Sequence, residues 1–142
     1  MKILIDMPVS KPHLAELQAM PDIECIPVED PQEETRPLPE ALIRDCEMFF
    51  TTFMPENHQL MEKLKVVQIA SVGYSQLFDH QLNERGIAAC NAVGVQDMPI
   101  AEWNIAMMIN LKRDMRGMMR NQDSAIWDRD ARFQREIYGG TV

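Results

Sequence analysis

Five short apolar runs, separated by turns and helix-like segments, constrain the fold of this chain more than any other feature. The runs are Lys2–Asp6, Ile23–Val28, Glu47–Phe53, Val66–Ala70 and Ile87–Cys90. Their lengths and their β-branched and aromatic residues are typical of buried strands. Strands that alternate with helices at short spacing predict a parallel sheet with right-handed crossovers and helices on both faces. We therefore predict an α/β fold whose parallel sheet has about five strands.

Helical segments are predicted in the gaps between these strands. Ser10 is the predicted N-cap of the first helix, and Pro12 lies in its first turn. The next two helices are predicted at Pro39–Asp45 and Pro55–Lys63, with Leu60 directed inward. These assignments complete a βα alternation through the first four strands.

A long apolar helix is predicted after the fifth strand. Asp97 is its predicted cap, and the helix should extend to about Met115. Apolar side chains surround nearly its whole circumference: Ile100, Ala101, Trp103, Ile105, Ala106, Met107, Met108, Ile109 and Leu111. A helix that is apolar on all sides is buried on more than one side. We therefore expect it to pack against a second domain or a second subunit. Ile137–Val142 is the predicted start of another strand.

Composition excludes several classes of protein. The formal net charge of −8 argues against nucleic acid and anionic membrane as partners. No apolar stretch reaches the ~18–20 residues that span a bilayer, and no signal peptide opens the chain, so we predict a cytoplasmic protein. The three cysteines, Cys25, Cys46 and Cys90, form no CxxC pair and are predicted to be buried, reduced thiols.

Two glycine turns lie where the predicted strands end, which is where parallel sheets bind ligands. Gly73, in Ser71–Tyr74, permits unusual backbone angles and a close approach of a ligand to the main chain. Successive N–H groups in such a turn can bind an anion, although a plain strand-to-helix turn is the alternative. Gly94, in Asn91–Val95, has the same two interpretations. The chain has no GxGxxG and no P-loop, and therefore no complete nucleotide phosphate site.

No residue pattern indicates a metal site or a nucleophile. His13, His58 and His80 are scattered, without HxH or HExxH spacing, and no Ser or Cys lies in a nucleophile elbow. Asp6 ends the first predicted strand, where a cap or turn role is favoured over a catalytic one. We therefore predict no metal ion and no catalytic residue in this chain.

A series of motifs within Leu64–Arg113 occurs in an order and spacing that resemble the D-isomer-specific 2-hydroxyacid dehydrogenases. The motifs are Leu64-Lys65, Ser71-Val72-Gly73-Tyr74, Asn83-Glu84-Arg85-Gly86-Ile87, Cys90-Asn91, Gly94 and Pro99-Ile100-Ala101-Glu102-Trp103. The resemblance implies that residues 1–97 form a flavodoxin-like substrate domain. Residues 98–142 would then form a crossing and dimerisation helix and a linker into an NAD(P)-binding domain that the chain lacks. Gly139–Val142 resembles the segment that begins that domain, so we expect the chain to stop before its glycine motif.

The resemblance also implies roles for individual residues. The substrate carboxylate would bind main-chain N–H groups, and residues around the same cleft would line it: Ser71, Val72, Gly73, Thr52 and Met54. The nicotinamide side of the site would be bordered by Asn91, Gly94 and Pro99. The dimer contact would include Trp103, Met107, Met108 and Leu111.

The chemistry of that family needs an Arg, a His and a carboxylate that lie downstream of the residues present here. None of the three histidines matches the acid/base of the family. We therefore predict that the parent protein is an NAD- or NADP-dependent oxidoreductase acting on a small 2-hydroxy or 2-oxo acid. The 142 residues alone should bind no cofactor and be inactive. Two alternatives stay open: a corepressor-like scaffold that senses nucleotide, and a stand-alone dimerisation or anion-binding module.

Overall fold

The structure is a computed structural model that describes residues 1–129 and 135–141. The chain divides into two compact units, Met1–Gly94 and Val95–Val142. The first unit contains the sheet and the second contains two helices.

A five-stranded parallel sheet forms the first unit, which confirms the predicted α/β class. Its strands are β1 (Lys2–Asp6), β2 (Glu24–Pro27), β3 (Met48–Thr51), β4 (Val66–Ile69) and β5 (Ala88–Cys90), in the order β2-β1-β3-β4-β5. Asp6 pairs in register with Thr51, and Thr51 with Ile69. Because these strands end level with one another, the segments after them meet at one edge of the sheet.

The helices of the first unit are shorter than predicted. They are α1 (Lys11–Gln18), α2 (Glu40–Ile43) and two 3-10 segments, His58–Leu60 and Ser75–His80. Ser10 lies at the start of α1, but its side chain makes no capping hydrogen bond, so that part of the prediction is wrong.

The predicted helix Pro55–Lys63 is wrong, because a tertiary contact competes with it. The side chain of Asn57 accepts a hydrogen bond from Leu38 N at 3.0 Å and donates one to Leu38 O at 2.8 Å. These two bonds tie Asn57 to a residue nineteen positions away, and such tertiary contacts routinely override local helix propensity. Leu60, predicted to point inward, is 36% exposed, and Met61 is buried instead.

The largest cluster of buried apolar residues in the first unit includes one face of the central strands, and Ile3 and Ile5 are buried on the opposite face of β1. Leu4, Phe49 and Val67 are neighbours in the strand register and are all fully buried. Side chains alternate between the two faces of a strand, so these three point the same way. Burial of each contributes about 1.5–3 kcal/mol.

The edge strand β5 corrects the prediction for the cysteines. Cys46 is buried and Cys25 is half-buried, but Cys90 is exposed. All three residues of β5 are exposed because this strand pairs only with β4 among the described residues.

The second unit contains α3 (Asp97–Lys112) and α4 (Met115–Asp123). The predicted single helix ends early because Asp114 has a left-handed φ of 45°, and its side chain caps α4 by accepting from Gly117 N at 3.2 Å. Gln96, rather than Asp97, occupies the cap position of α3. Residues 137–139 form a bend and a turn and residues 140–141 have no regular structure, so the predicted strand is absent from residues 137–141; Val142 lies outside the described residues. No described helix meets the length and hydropathy of a membrane span.

Candidate functional site

The turn Ser71–Tyr74, between β4 and the 3-10 segment Ser75–His80, has each of its first three carbonyl oxygens paired inside the chain. Ala92 N donates to Ser71 O at 3.0 Å. The Asn91 side chain donates from Nδ2 to Val72 O at 2.8 Å. The Ser71 hydroxyl donates to Gly73 O at 2.7 Å. The turn is therefore held by the loop that follows β5 and by one of its own side chains.

Two N–H groups of the same turn, in contrast to its carbonyl oxygens, have no hydrogen-bond partner among the described residues. Among residues 1–129 and 135–141, no acceptor pairs with the N–H of Val72 or of Gly73. Val72 is 38% exposed, and a Cβ built on Gly73 would meet no atom within 4 Å. Unpaired main-chain donors at an open surface are the elements of an anion site.

The two turn glycines, Gly73 and Gly94, differ in their backbone conformation. Gly94 has a φ of 88°, in the left-handed region that favours glycine. Gly73 has no positive φ, so the expectation of unusual backbone angles is wrong for this residue. The missing side chain of Gly73 instead leaves open space beside the main chain.

Gln76 joins this turn to the end of β3. Its Nε2 donates to Ser71 Oγ at 2.8 Å and to Thr52 O at 3.3 Å. The structure thereby brings Ser71 and Thr52 together, as the sequence prediction requires. Thr52 Oγ1 is buried and has no partner among the described residues. Sequence reasoning did not assign Gln76 to the site, since no local pattern reveals a bond between two loops.

Met54 does not line this surface. Its side chain is fully buried in the hydrophobic core, so the predicted contact with substrate is wrong for this residue. The chain turns inward after Thr52, and Met54 and Pro55 are both buried there. An unbranched thioether fills an irregular gap in a core well.

Asp6 and Arg36 form a two-bonded ion pair at the same edge of the sheet. The Arg36 guanidinium donates to the two carboxylate oxygens of Asp6 at 2.8 and 2.9 Å. Asp6 is only 3% exposed. The hydrogen bond to Asp6 is the main cause that raises the pKa of Arg36. Asp6 therefore serves neither as a cap nor as an isolated acid, and its charge is compensated.

An apolar cleft of about 840 Å³ extends from the turn along β5. Tyr74 and Asn91 belong both to the cleft and to the region of the turn, while Leu77, Phe78 and Ile87 supply apolar walls. The rings of Tyr74 and Phe78 meet edge to face, with centroids 5.6 Å apart. The turn therefore has an apolar surface beside it.

The remaining predicted residues are placed as follows. Asn91 contacts the turn, Gly94 lies in the exposed loop after it, and Pro99 belongs to the first turn of α3 in the second unit. His58 is buried beside Arg85 and His80, and makes no hydrogen bond to the turn. No group of three potential metal ligands occurs in the described part of the chain.

Comparison with known proteins gives a curated relative and solved structures of similar fold. No family model matches the chain. A curated relative from Haemophilus influenzae, described as a 2-hydroxyacid dehydrogenase, is 28% identical over 94 residues; the match covers 64% of this chain and 30% of the relative. This match supports a relationship to the 2-hydroxyacid dehydrogenases. It agrees with the resemblance seen in the sequence, and the chain spans less than a third of that relative.

Solved dehydrogenases of this kind share the fold. The D-lactate dehydrogenase of Aquifex aeolicus, complexed with NAD and lactic acid, has a TM-score of 0.73 at 17% identity, covering 95% of this chain and 41% of that one. The NADPH-dependent glyoxylate/hydroxypyruvate reductase of Sinorhizobium meliloti has a TM-score of 0.70 at 20% identity, covering 97% and 44%. The NAD-dependent formate dehydrogenase of Staphylococcus aureus has a TM-score of 0.65 at 17% identity, covering 90% and 43%. These neighbours are NAD(P)-dependent enzymes, and this chain spans less than half of each.

Proposed function

We propose that this chain is the substrate-binding part of an NAD(P)-dependent oxidoreductase that acts on the CH–OH group of a D-2-hydroxyacid, or reduces the matching 2-oxoacid. The observation that carries the proposal is the Ser71–Tyr74 turn. Its carbonyl oxygens are paired within the chain, while the N–H groups of Val72 and Gly73 have no partner among the described residues. The relative from Haemophilus influenzae supports the type of reaction.

In this proposal the substrate carboxylate accepts hydrogen bonds from the N–H groups of Val72 and Gly73. A hydrogen bond to an ionised acceptor contributes about 1.5–3 kcal/mol, roughly twice that of a neutral pair. The absence of a side chain at Gly73 allows the carboxylate oxygens to come within hydrogen-bonding distance of the main chain. Ser71 and Thr52 lie beside the turn and would contact the rest of a small acid.

The ion pair between Asp6 and Arg36 supports an anionic substrate at this edge of the sheet. A lone carboxylate at the end of β1 would repel a second carboxylate nearby. Because Arg36 pairs with both oxygens of Asp6, the net charge of the pair is zero. The binding region can then present main-chain dipoles without an opposing negative charge.

NAD or NADP is proposed as the cofactor of the whole protein. The sequence contains no GxGxxG, so no glycine loop for a pyrophosphate is present in these residues. When bound, the cofactor would supply or accept the hydride. Asn91, Gly94 and Pro99 remain the predicted neighbours of the nicotinamide.

The chain alone is expected to be inactive in this proposal. No histidine among the described residues is bonded to the turn, so the proton transfer has no assigned donor here. Purified residues 1–142 should not oxidise NADH or NADPH with glyoxylate above the rate without protein. Sustained oxidation that scales with the concentration of this chain would contradict the assignment as a substrate-binding part.

Homodimer formation through α3 is also proposed. Several apolar side chains of this helix are exposed in the chain: Met98, Ile100, Trp103, Ile105, Ile109 and Leu111. An apolar patch of this kind marks an interaction surface more often than a solvated one. Trp103 and Leu111, together with the half-buried Met107 and Met108, are the proposed contacts.

The carboxylate site can be tested directly on this chain. Titration of the ¹⁵N-labelled protein with oxamate, a small 2-oxo carboxylate, should move the amide signals of Val72 and Gly73 first and saturably. Sodium chloride at equal ionic strength is the control, because it supplies an anion without a carboxylate. Unchanged Val72 and Gly73 signals at saturating oxamate would refute the site.

A further inference from the structure

We propose that Asn91 is a positioning residue, which aims the Gly73 N–H at the substrate by holding the carbonyl on the other side of the same peptide bond. The inference rests on the proposed carboxylate site. It adds a residue that acts through the main chain and need not touch the substrate. Asn91 Nδ2 and Val72 O are 2.8 Å apart.

The geometry of the peptide group supplies the first step. Val72 O and Gly73 N belong to one peptide unit, which is planar and trans, as are all peptide bonds of the described chain. In a trans peptide the C=O and the N–H point in opposite directions. The bond from Asn91 therefore fixes the direction of the Gly73 N–H as well as that of the Val72 carbonyl.

The neighbouring peptide unit is held in the same manner by the next residue of the same loop. Ala92 N donates to Ser71 O at 3.0 Å, and Ser71 O shares its peptide unit with Val72 N. The segment Asn91-Ala92 thus orients both proposed donors, one through a side chain and one through main chain. A substitution at Asn91 can remove the side-chain bond and leave the main-chain donor of Ala92 in place.

The third carbonyl of the turn, that of Gly73, is held by hydrogen bonds that do not involve Asn91. Gly73 O accepts from Ser71 Oγ, which in turn accepts from Gln76. This peptide unit carries the N–H of Tyr74, which is not one of the two proposed donors. Loss of Asn91 therefore acts on a peptide unit that the pair of Ser71 and Gln76 does not hold.

Without the bond from Asn91, the peptide unit between Val72 and Gly73 could rotate, because glycine restricts the backbone little. Glycine has more accessible backbone conformations than any other residue, and a Cβ built on Gly73 would meet no atom within 4 Å. A donor that must be oriented at the time of binding costs affinity, whereas a donor held beforehand does not. Asn91 therefore contributes by pre-orienting a glycine peptide.

The test compares Asn91→Leu with Asn83→Leu in the 142-residue chain. Leucine branches as asparagine does, is bulkier and donates no hydrogen bond, and the control carries the same change in size. Asn83 lies on the same cleft, is exposed, and makes no side-chain bond to the turn. Oxamate affinity, followed by the Val72 and Gly73 amide signals, should fall about tenfold or more in Asn91→Leu and change less than twofold in Asn83→Leu.

A measurement without ligand separates the failure of this inference from the failure of the carboxylate site. In Asn91→Leu, the Val72 carbonyl ¹³C shift and the Gly73 N–H residual dipolar coupling should both change, while signals of β1 and β3 stay in place. Unchanged values, or wild-type affinity for oxamate, would overturn the role of Asn91. If both values change but the wild-type chain binds no oxamate, Asn91 orients the peptide as inferred and the proposed carboxylate site is wrong.

Discussion

Arg36 donates two hydrogen bonds, of 2.8 and 2.9 Å, to the buried carboxylate of Asp6, which is thirty positions away in the sequence. The same guanidinium donates to the carbonyl oxygens of Asp30 and Gln32 at 3.3 and 3.2 Å. One side chain therefore neutralises the end of β1 and holds the acidic loop that precedes α2. The contribution of this side chain can be measured through the free energy of unfolding of the first unit.

Replacing Arg36 by Met should destabilise the first unit by about 3 kcal/mol, because a buried carboxylate is left without its partner. Urea unfolding followed by circular dichroism measures this change in the free energy of unfolding. The matched control is Arg44→Met, which breaks the exposed ion pair of Arg44 with Glu40 and should cost less than about 0.5 kcal/mol. Equal effects of the two substitutions would mean that the pair with Asp6 is no more important than a surface contact.

The substitutions Gly73→Val and Gly94→Val should have different effects on oxamate binding and on the free energy of unfolding. Gly73→Val adds a side chain in open space at a residue without positive φ, so the free energy of unfolding should change by less than about 1 kcal/mol. Oxamate binding should nevertheless be lost, because the side chain covers the unpaired N–H groups. Gly94→Val forces a branched residue to a φ of 88° and should cost about 1–3 kcal/mol. Wild-type oxamate affinity in Gly73→Val would contradict the proposed site.

The strands were predictable from sequence because each is a local apolar run with a clear end. β1 was predicted with the bounds that the structure has, since Pro8 follows Asp6 closely and cannot donate to a strand ladder. The failures come from contacts between distant positions. Asn57 bonds to Leu38 and prevents the helix that the local pattern of Pro55–Lys63 favours. Local periodicity contains no information about such a partner.

In the candidate site too, local features were predictable from the sequence and contacts between distant residues were not. The turn at Gly73 was recognisable as a glycine after a buried strand, but its hydrogen bonds were not. Asn91 and Gln76 reach the turn from other segments, and Arg36 reaches Asp6 from the far end of a loop. Met54 was misplaced because an apolar residue three positions after β3 is compatible with either the cleft or the core.

The stability of the first unit should fall on acidification through His58. This imidazole is 8% exposed, and burial, followed by the charges of His80 and Arg85, lowers its pKa from the ordinary value of 6.5. Below pH 6.5 the unfolded chain takes up a proton that the folded chain resists, so the free energy of unfolding decreases as the pH falls. The contribution cannot exceed about 1.4 kcal/mol per pH unit for one proton.

Two substitutions isolate this histidine. His58→Gln removes the titration and should flatten the pH dependence of the free energy of unfolding between pH 6.5 and pH 5. His13→Gln alters an exposed histidine of α1 and should leave the slope of the wild-type chain unchanged. A slope that persists in His58→Gln would assign the effect to other groups.

Trp103 is a better position than Met108 for a substitution that tests association through α3. Its side chain is 62% exposed in this chain, so Trp103→Asp should leave the folded monomer intact. Met108 is less suitable, because it lines a cleft of about 160 Å³ with Gly140 and Thr141 of its own unit. If α3 forms the dimer contact, an aspartate at residue 103 buries an unpaired charge and should weaken association by at least tenfold. Sedimentation equilibrium over a range of concentrations measures this, and an unaltered dimer would place the interface elsewhere.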